Sequence, residues 1–114
     1  MMTSLKENVH HFFSYLFDRW GFKCAVLADD YNGNVLIAES KRIRIRFIND
    51  RADFFLDITR VNEPDSWIGF YEIMDRLASA GVIEKNYKYA NKIAPVSRLL
   101  HKHLPEVEKM LTKD

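Results

Sequence analysis

A chain of 114 residues with 47% hydrophobic and 29% charged residues is sized and composed as one domain, residues 1–114, with a core of its own. Seventeen Lys and Arg against sixteen Asp and Glu leave a formal charge of +1, without the strong positive field that polyanion binders usually carry. The single cysteine, Cys24, excludes an internal disulfide; with no membrane-length apolar run and no secretory leader pattern, a cytoplasmic protein without a membrane partner is expected.

Ser4 followed by Glu7 makes a capping box, in which each side chain satisfies backbone donors left open at a helix start. Leu5, Val9, Phe12, Phe13, Leu16, Phe17 and Trp20 then recur at helical spacing, which predicts one helix ending at the left-handed terminator Gly21. Residues 22–28 and 35–39 read as strands joined through Asn32-Gly33, a pair that tolerates the positive φ of a tight hairpin turn. Ser40-Lys41 is compatible with either a turn or a bulge.

The stretch after it alternates Arg42, Arg44 and Arg46 with Ile43, Ile45 and Phe47, and is followed by a turn at Asn49-Asp50-Arg51 and a second apolar run. Parity predicts an antiparallel pair in which Ile43, Ile45 and Phe47 share a face with Ile58, Leu56 and Phe54. Arg42, Arg44 and Arg46 then share the open face with Thr59, Asp57 and Phe55, Arg44 lying opposite Asp57. A one-residue slip would put arginines in the core.

Helical periodicity returns after Pro64, with Asp65 or Ser66 as cap and Trp67, Phe70, Tyr71, Met74, Leu77 and Ala78 as the apolar stripe, up to Gly81. Residues 84–92 read as an exposed polar connection. A last helix begins near Pro95 and carries Val96, Leu99, Leu100, Leu104, Val107, Met110 and Leu111, with a kink or break expected at Pro105. The sum is an α+β fold: an N-terminal helix, a four-stranded antiparallel sheet, then two C-terminal helices, the helices mainly on one sheet face.

No constellation of reactive groups emerges. His10 and His11 are adjacent on a helix and cannot converge on a metal, and His101 and His103 splay further. No phosphate loop, nucleophile elbow or zinc motif is present, so no catalytic, cofactor-binding or metal residue is assigned and a non-enzyme is expected.

The arginine row has three readings: a solvated sheet face, a track for nucleic acid, or a surface for a protein. Phe55 among Arg42, Arg44, Arg46 and Asp57 gives the composition of a protein-binding surface, and Asp53 with Asp57 weakens attraction for a polyanion. The connection bearing Tyr87 and Tyr89 among Lys85, Lys88 and Lys92 is either a second contact surface or an ordinary loop whose tyrosines pack on the domain.

Taken together, GNVLIAES, RIRIRF, Asp50-Arg51, FFLDI and DSWIGFYEIMDRL resemble the small immunity proteins of bacterial toxin systems, notably contact-dependent growth inhibition, over about residues 20–80. The resemblance implies a non-catalytic protein that binds and neutralises the C-terminal toxin domain of a cognate effector, often a nuclease. It carries over no fixed set of functional residues, because each such protein suits its own toxin. Expected contacts are Arg42, Arg44, Arg46, Phe55 and Asp57, then Tyr87, Tyr89 and the hairpin residues Asp29 and Asp30. Asp29, Asp30, Glu63 and Asp65 would supply an acidic patch. The alternative is a small nucleic-acid-binding or regulatory protein using Arg42, Arg44 and Arg46. A monomer is favoured, with pairing through an exposed edge strand left open.

Overall fold

The structure, a computed structural model, describes residues 4–25 and 34–113. The Asn32-Gly33 turn and the end of the first predicted strand lie outside the described residues. The fold is α+β, with a five-stranded antiparallel sheet in the order β1-β2-β3-β4-β5. The strands are β1 (Lys23–Ala25), β2 (Val35–Glu39), β3 (Ile43–Asp50), β4 (Asp53–Arg60) and β5 (Ile68–Gly69), and the helices are α1 (Leu5–Phe12), α2 (Ser14–Asp18), α3 (Phe70–Ser79) and α4 (Ile93–Thr112).

The expected parity holds and the expected register does not. Ile45 faces Ile58 and Phe47 faces Leu56, so the strands sit two residues along from the predicted pairing. A slip of two leaves every side chain on its own face. The strands run on to Asp50 and Asp53, and only Arg51 and Ala52 make the turn. Arg51 takes a φ of 60°, the positive value a two-residue hairpin demands at its first central position.

Ile43, Ile45, Phe47 and Ile58 are fully buried on one face of this pair. The helices cover that face: α4 lies on β3 and β4, α3 packs on β4 and α4, and α1 packs on β2 and α4. Phe13 is the hub, its ring centroid 4.9 Å from that of Phe47 and 6.0 Å from that of Phe54.

Phe13 also interrupts the predicted single N-terminal helix. It leaves helical geometry at φ −116° and ψ 28°, with α1 ending before it and α2 beginning after it. Two bonds from α4 secure the break: Ser97 Oγ donates to the Phe12 carbonyl, and the Tyr15 hydroxyl donates to the Ser97 carbonyl at 2.8 Å. Ser4 caps α1 as predicted, its Oγ accepting from the Glu7 N–H at 3.1 Å, and Gly21 has the expected left-handed φ of 71°. Trp20, past the end of α2, stays 37% exposed rather than joining the stripe.

Two further expectations are corrected. α3 starts at Phe70, with neither Asp65 nor Ser66 as its cap, because residues 68 and 69 pair in extended form with Ile58 and Asp57 and so add a fifth strand. α4 runs unbroken through Pro105. Proline deprives the His101 carbonyl of its helical donor, but both residues are exposed and water can take that place.

His103, on the inner side of α4, is buried, with Nε2 unpartnered among the described groups. Burial, reinforced by Lys102 and opposed by the Glu106 carboxylate, holds its pKa below the ordinary 6.5.

Ile45→Ala should lower unfolding free energy by about 2–5 kcal/mol in urea titrations, through lost burial plus a residual cavity. Asp57→Ala, on the partly solvated face, should cost less than Ile45→Ala. The unfolded chain takes up the His103 proton more readily than the folded one, so stability should fall as pH drops through 6.5. The urea midpoint should be lower at pH 5.5 than at 7.5, and His103→Leu should reduce that difference.

Candidate functional site

The face turned away from the helices is where the predicted contacts gather. Residues directly opposed in an antiparallel sheet share a face. The register therefore aligns Lys23 and Ala25 of β1 with Glu39 and Ile37 of β2, then with Arg44 and Arg46 of β3, then with Thr59 and Asp57 of β4. One step further along, Val35, Ile48 and Phe55 form an apolar row across β2, β3 and β4. Phe55 remains 36% exposed.

The register moves Asp57 from Arg44 to Arg46. Arg46 Nε and Nη2 both donate to Asp57 Oδ2, at 3.1 and 2.7 Å. Arg44 finds a different carboxylate, its Nε lying 3.3 Å from Glu39 Oε1, while its Nη1 reaches the Pro64 carbonyl at 3.4 Å. Both guanidinium charges on this face are thus compensated from within the sheet. The Arg46–Asp57 pair is only partly exposed, so it loses less to solvent screening than a fully exposed pair would.

Trp67 completes the cluster and was not legible as a site residue. Its ring centroid lies 4.4 Å from Arg46 Cζ and 5.6 Å from Arg44 Cζ, so both cations lie over the indole ring at cation–π distance. The segment carrying it is folded against the sheet by Thr59 Oγ1, which donates to the Glu63 carbonyl at 2.7 Å. Helical spacing placed Trp67 on a buried stripe. The usable signal was Trp-Ile-Gly after a Pro-Asp turn, a short strand flanked by breakers.

Arg42 does not belong to this face. It precedes β3, in the turn that Ser40 stabilises, and its guanidinium crosses to α4, 3.3 Å from Glu108 Oε1 and 2.7 Å from Thr112 Oγ1. Alternation fails there because the backbone has not yet entered the strand. Asp29 and Asp30 lie outside the described residues. Of the remaining acidic patch, Glu63 pairs with Arg60 at 3.3 Å and Asp65 is exposed.

Tyr87 and Tyr89 are on another surface, beside α3. Each hydroxyl donates to one oxygen of Asp75 at 2.6 Å, which holds that carboxyl below its ordinary range; burial and then this bond push the Tyr87 phenol up, and the bond leads the rise at Tyr89. Their neighbour Tyr71 donates to the Ala90 carbonyl and accepts from its N–H, both at 3.0 Å. The connection is therefore pinned by its tyrosines, as the packing alternative expects, although 60% of Tyr89 stays exposed.

Cys24 is half-buried with Sγ 3.5 Å from His10 Nε2, and burial raises its pKa, so the thiol keeps its proton and is a poor nucleophile. Among the described residues, no three His, Cys, Asp or Glu side chains come together as a metal site, and no helix is long and apolar enough to cross a membrane.

Asp75→Ala removes the anchor of both tyrosines at once. Limited trypsin digestion should then cut at Lys85 or Lys88 several-fold faster, with far-UV circular dichroism unchanged, because local opening falls in free energy while the core stays intact.

No protein family, curated protein or solved structure matches the chain, so the functional reading rests on the open sheet face and on the residues that carry the resemblance.

Proposed function

We propose that this protein is a stoichiometric inhibitor of the immunity type, which binds the C-terminal toxin domain of a contact-dependent growth inhibition effector and has no turnover of its own. The observation that carries a protein partner over a nucleic acid is the internal compensation of Arg44 by Glu39 and of Arg46 by Asp57. A phosphate track works by releasing counterions from cations that are free to take phosphates. Here each cation already has a carboxylate beside it, so it holds few counterions to release, although Arg46 keeps donors that a single shaped acceptor can reach.

What remains available is a mixed surface of Phe55, Val35 and Ile48 beside ordered arginines and Trp67. Aromatic and arginine side chains set among apolar ones supply most of the energy of protein interfaces, and ordered side chains lose little entropy on binding. The toxin as partner comes from the resemblance in RIRIRF, FFLDI and DSWIGFYEIMDRL. The toxins of such systems are often nucleases, and a nuclease domain is the expected target.

The test is co-expression with the C-terminal domain of a large secreted effector encoded immediately upstream. Cells should grow, and the two chains should co-purify in equal amounts. Arg46→Glu combined with Phe55→Ala should abolish protection while the protein remains folded. Growth arrest despite abundant folded wild-type protein overturns the proposal. So does tight oligonucleotide binding with a log–log salt slope of about −2, which two phosphate contacts through Arg44 and Arg46 would give.

A further inference from the structure

Among the described residues, Arg46 has two partners. Asp57 takes its Nε and Nη2 donors, and its Cζ lies over the Trp67 ring, 4.4 Å from the centroid. Nη1 and the second Nη2 proton have no acceptor among the described residues. These donors form the end-on edge of a rigid fork, whose spacing matches the two oxygens of a carboxylate. The rotamer entropy a loose arginine loses on binding has already been lost in folding.

Arg46 also lines a concavity of about 710 Å³, together with Val35, Ile48, Phe55 and Arg51. The three apolar side chains lie side by side across three strands, so the concavity has apolar lining next to its arginines. Arg51 stands at the hairpin turn with no carboxylate partner among the described residues. Asp50 also lines the concavity, at the exposed end of β3, so with Arg46 paired to Asp57 the selection of an anion falls to the directed donors of Arg46 and Arg51 rather than to excess charge. A pocket with that lining accepts an anion whose carrier also brings an apolar group.

Resting on the toxin-binding reading for the identity of the partner, the geometry points to a receptor for an acidic side chain of the toxin domain. That carboxylate lies end-on against Arg46, within reach of Arg51, and an adjoining apolar side chain of the toxin packs on Val35, Ile48 and Phe55. Asp57 and Trp67 act as positioning residues, which keep the fork aimed at the concavity.

The full chain, labelled with nitrogen-15, is titrated with three probes of one shape: 3-phenylpropanoate, the neutral 3-phenylpropanamide and the cationic 3-phenylpropylamine. The Arg46 Nε–H signal and the amides of Ile48 and Phe55 should shift saturably with the propanoate. Binding of the amide should be about tenfold weaker, the loss of one charge-assisted contact. The amine should give no saturable shift at these positions. Arg46→Gln should erase the preference for the acid. Arg51→Gly, which suits a φ of 60° and so preserves the turn, should weaken the propanoate several-fold.

Equal binding of acid and amide, a preference for the amine, or shifts scattered over the surface would overturn the receptor. Full protection from the toxin by an Arg46→Gln chain that has lost its acid preference would overturn the docking while leaving the immunity reading standing. A wild-type chain that binds propanoate yet fails to protect would remove the toxin as the partner.

Discussion

The period-two alternation of β3 against β4 is the constraint on which the rest of the molecule depends. With Ile43, Ile45 and Phe47 all inward, the core has its floor, and three helices have a surface against which to bury their stripes. The same alternation sends Arg44 and Arg46 outward and gives the second face its character. One backbone periodicity thus divides folding from recognition. The outward rows are less uniform, since Ile37 and Thr59 lie on them and are buried as well.

The outward face shows why counting cations is a poor guide to what a surface binds. Two arginines on adjacent turns of the pleat would suggest a polyanion if they stood alone. Glu39, Asp57 and Trp67 convert them into ordered, nearly neutral platforms. Their contribution then comes from shape and directed donors rather than from long-range attraction. Such a surface steers a partner weakly at a distance and discriminates strongly at contact. That behaviour fits the inhibitor role proposed above.

Elements set by short-range rules were legible in the sequence, and those set by competition between segments were not. The Ser4 cap, the left-handed Gly21 and the two faces of the hairpin follow from local chemistry, and all are present. The pairing of Asp57 with Arg46 was out of reach because a two-residue slip costs nothing in parity. The break at Phe13 depends on hydroxyls supplied by Ser97 and Tyr15, and Ser97 lies far along the chain. Trp67 satisfied a helical stripe as well as a strand, and the pairing of Ile68 with Ile58 decided between them. Arg42 belonged by spelling to the arginine row, yet α4 offered it Glu108 and Thr112. Of the candidate site, Arg44, Arg46, Phe55 and Asp57 were readable as one face, while their partners were not.

The paired hydroxyls on Asp75 have a consequence for how such a molecule can change. Tyr87, the inner of the two, packs against the core cluster, whereas Tyr89 presents most of its ring to solvent. A tether with two donors on one acceptor is redundant: the outer residue can be exchanged and the inner one still keeps the connection in place. Tyr89 therefore stands at a position where variation is cheap for the fold and visible from outside. At that position the chain has room to vary without first becoming unstable.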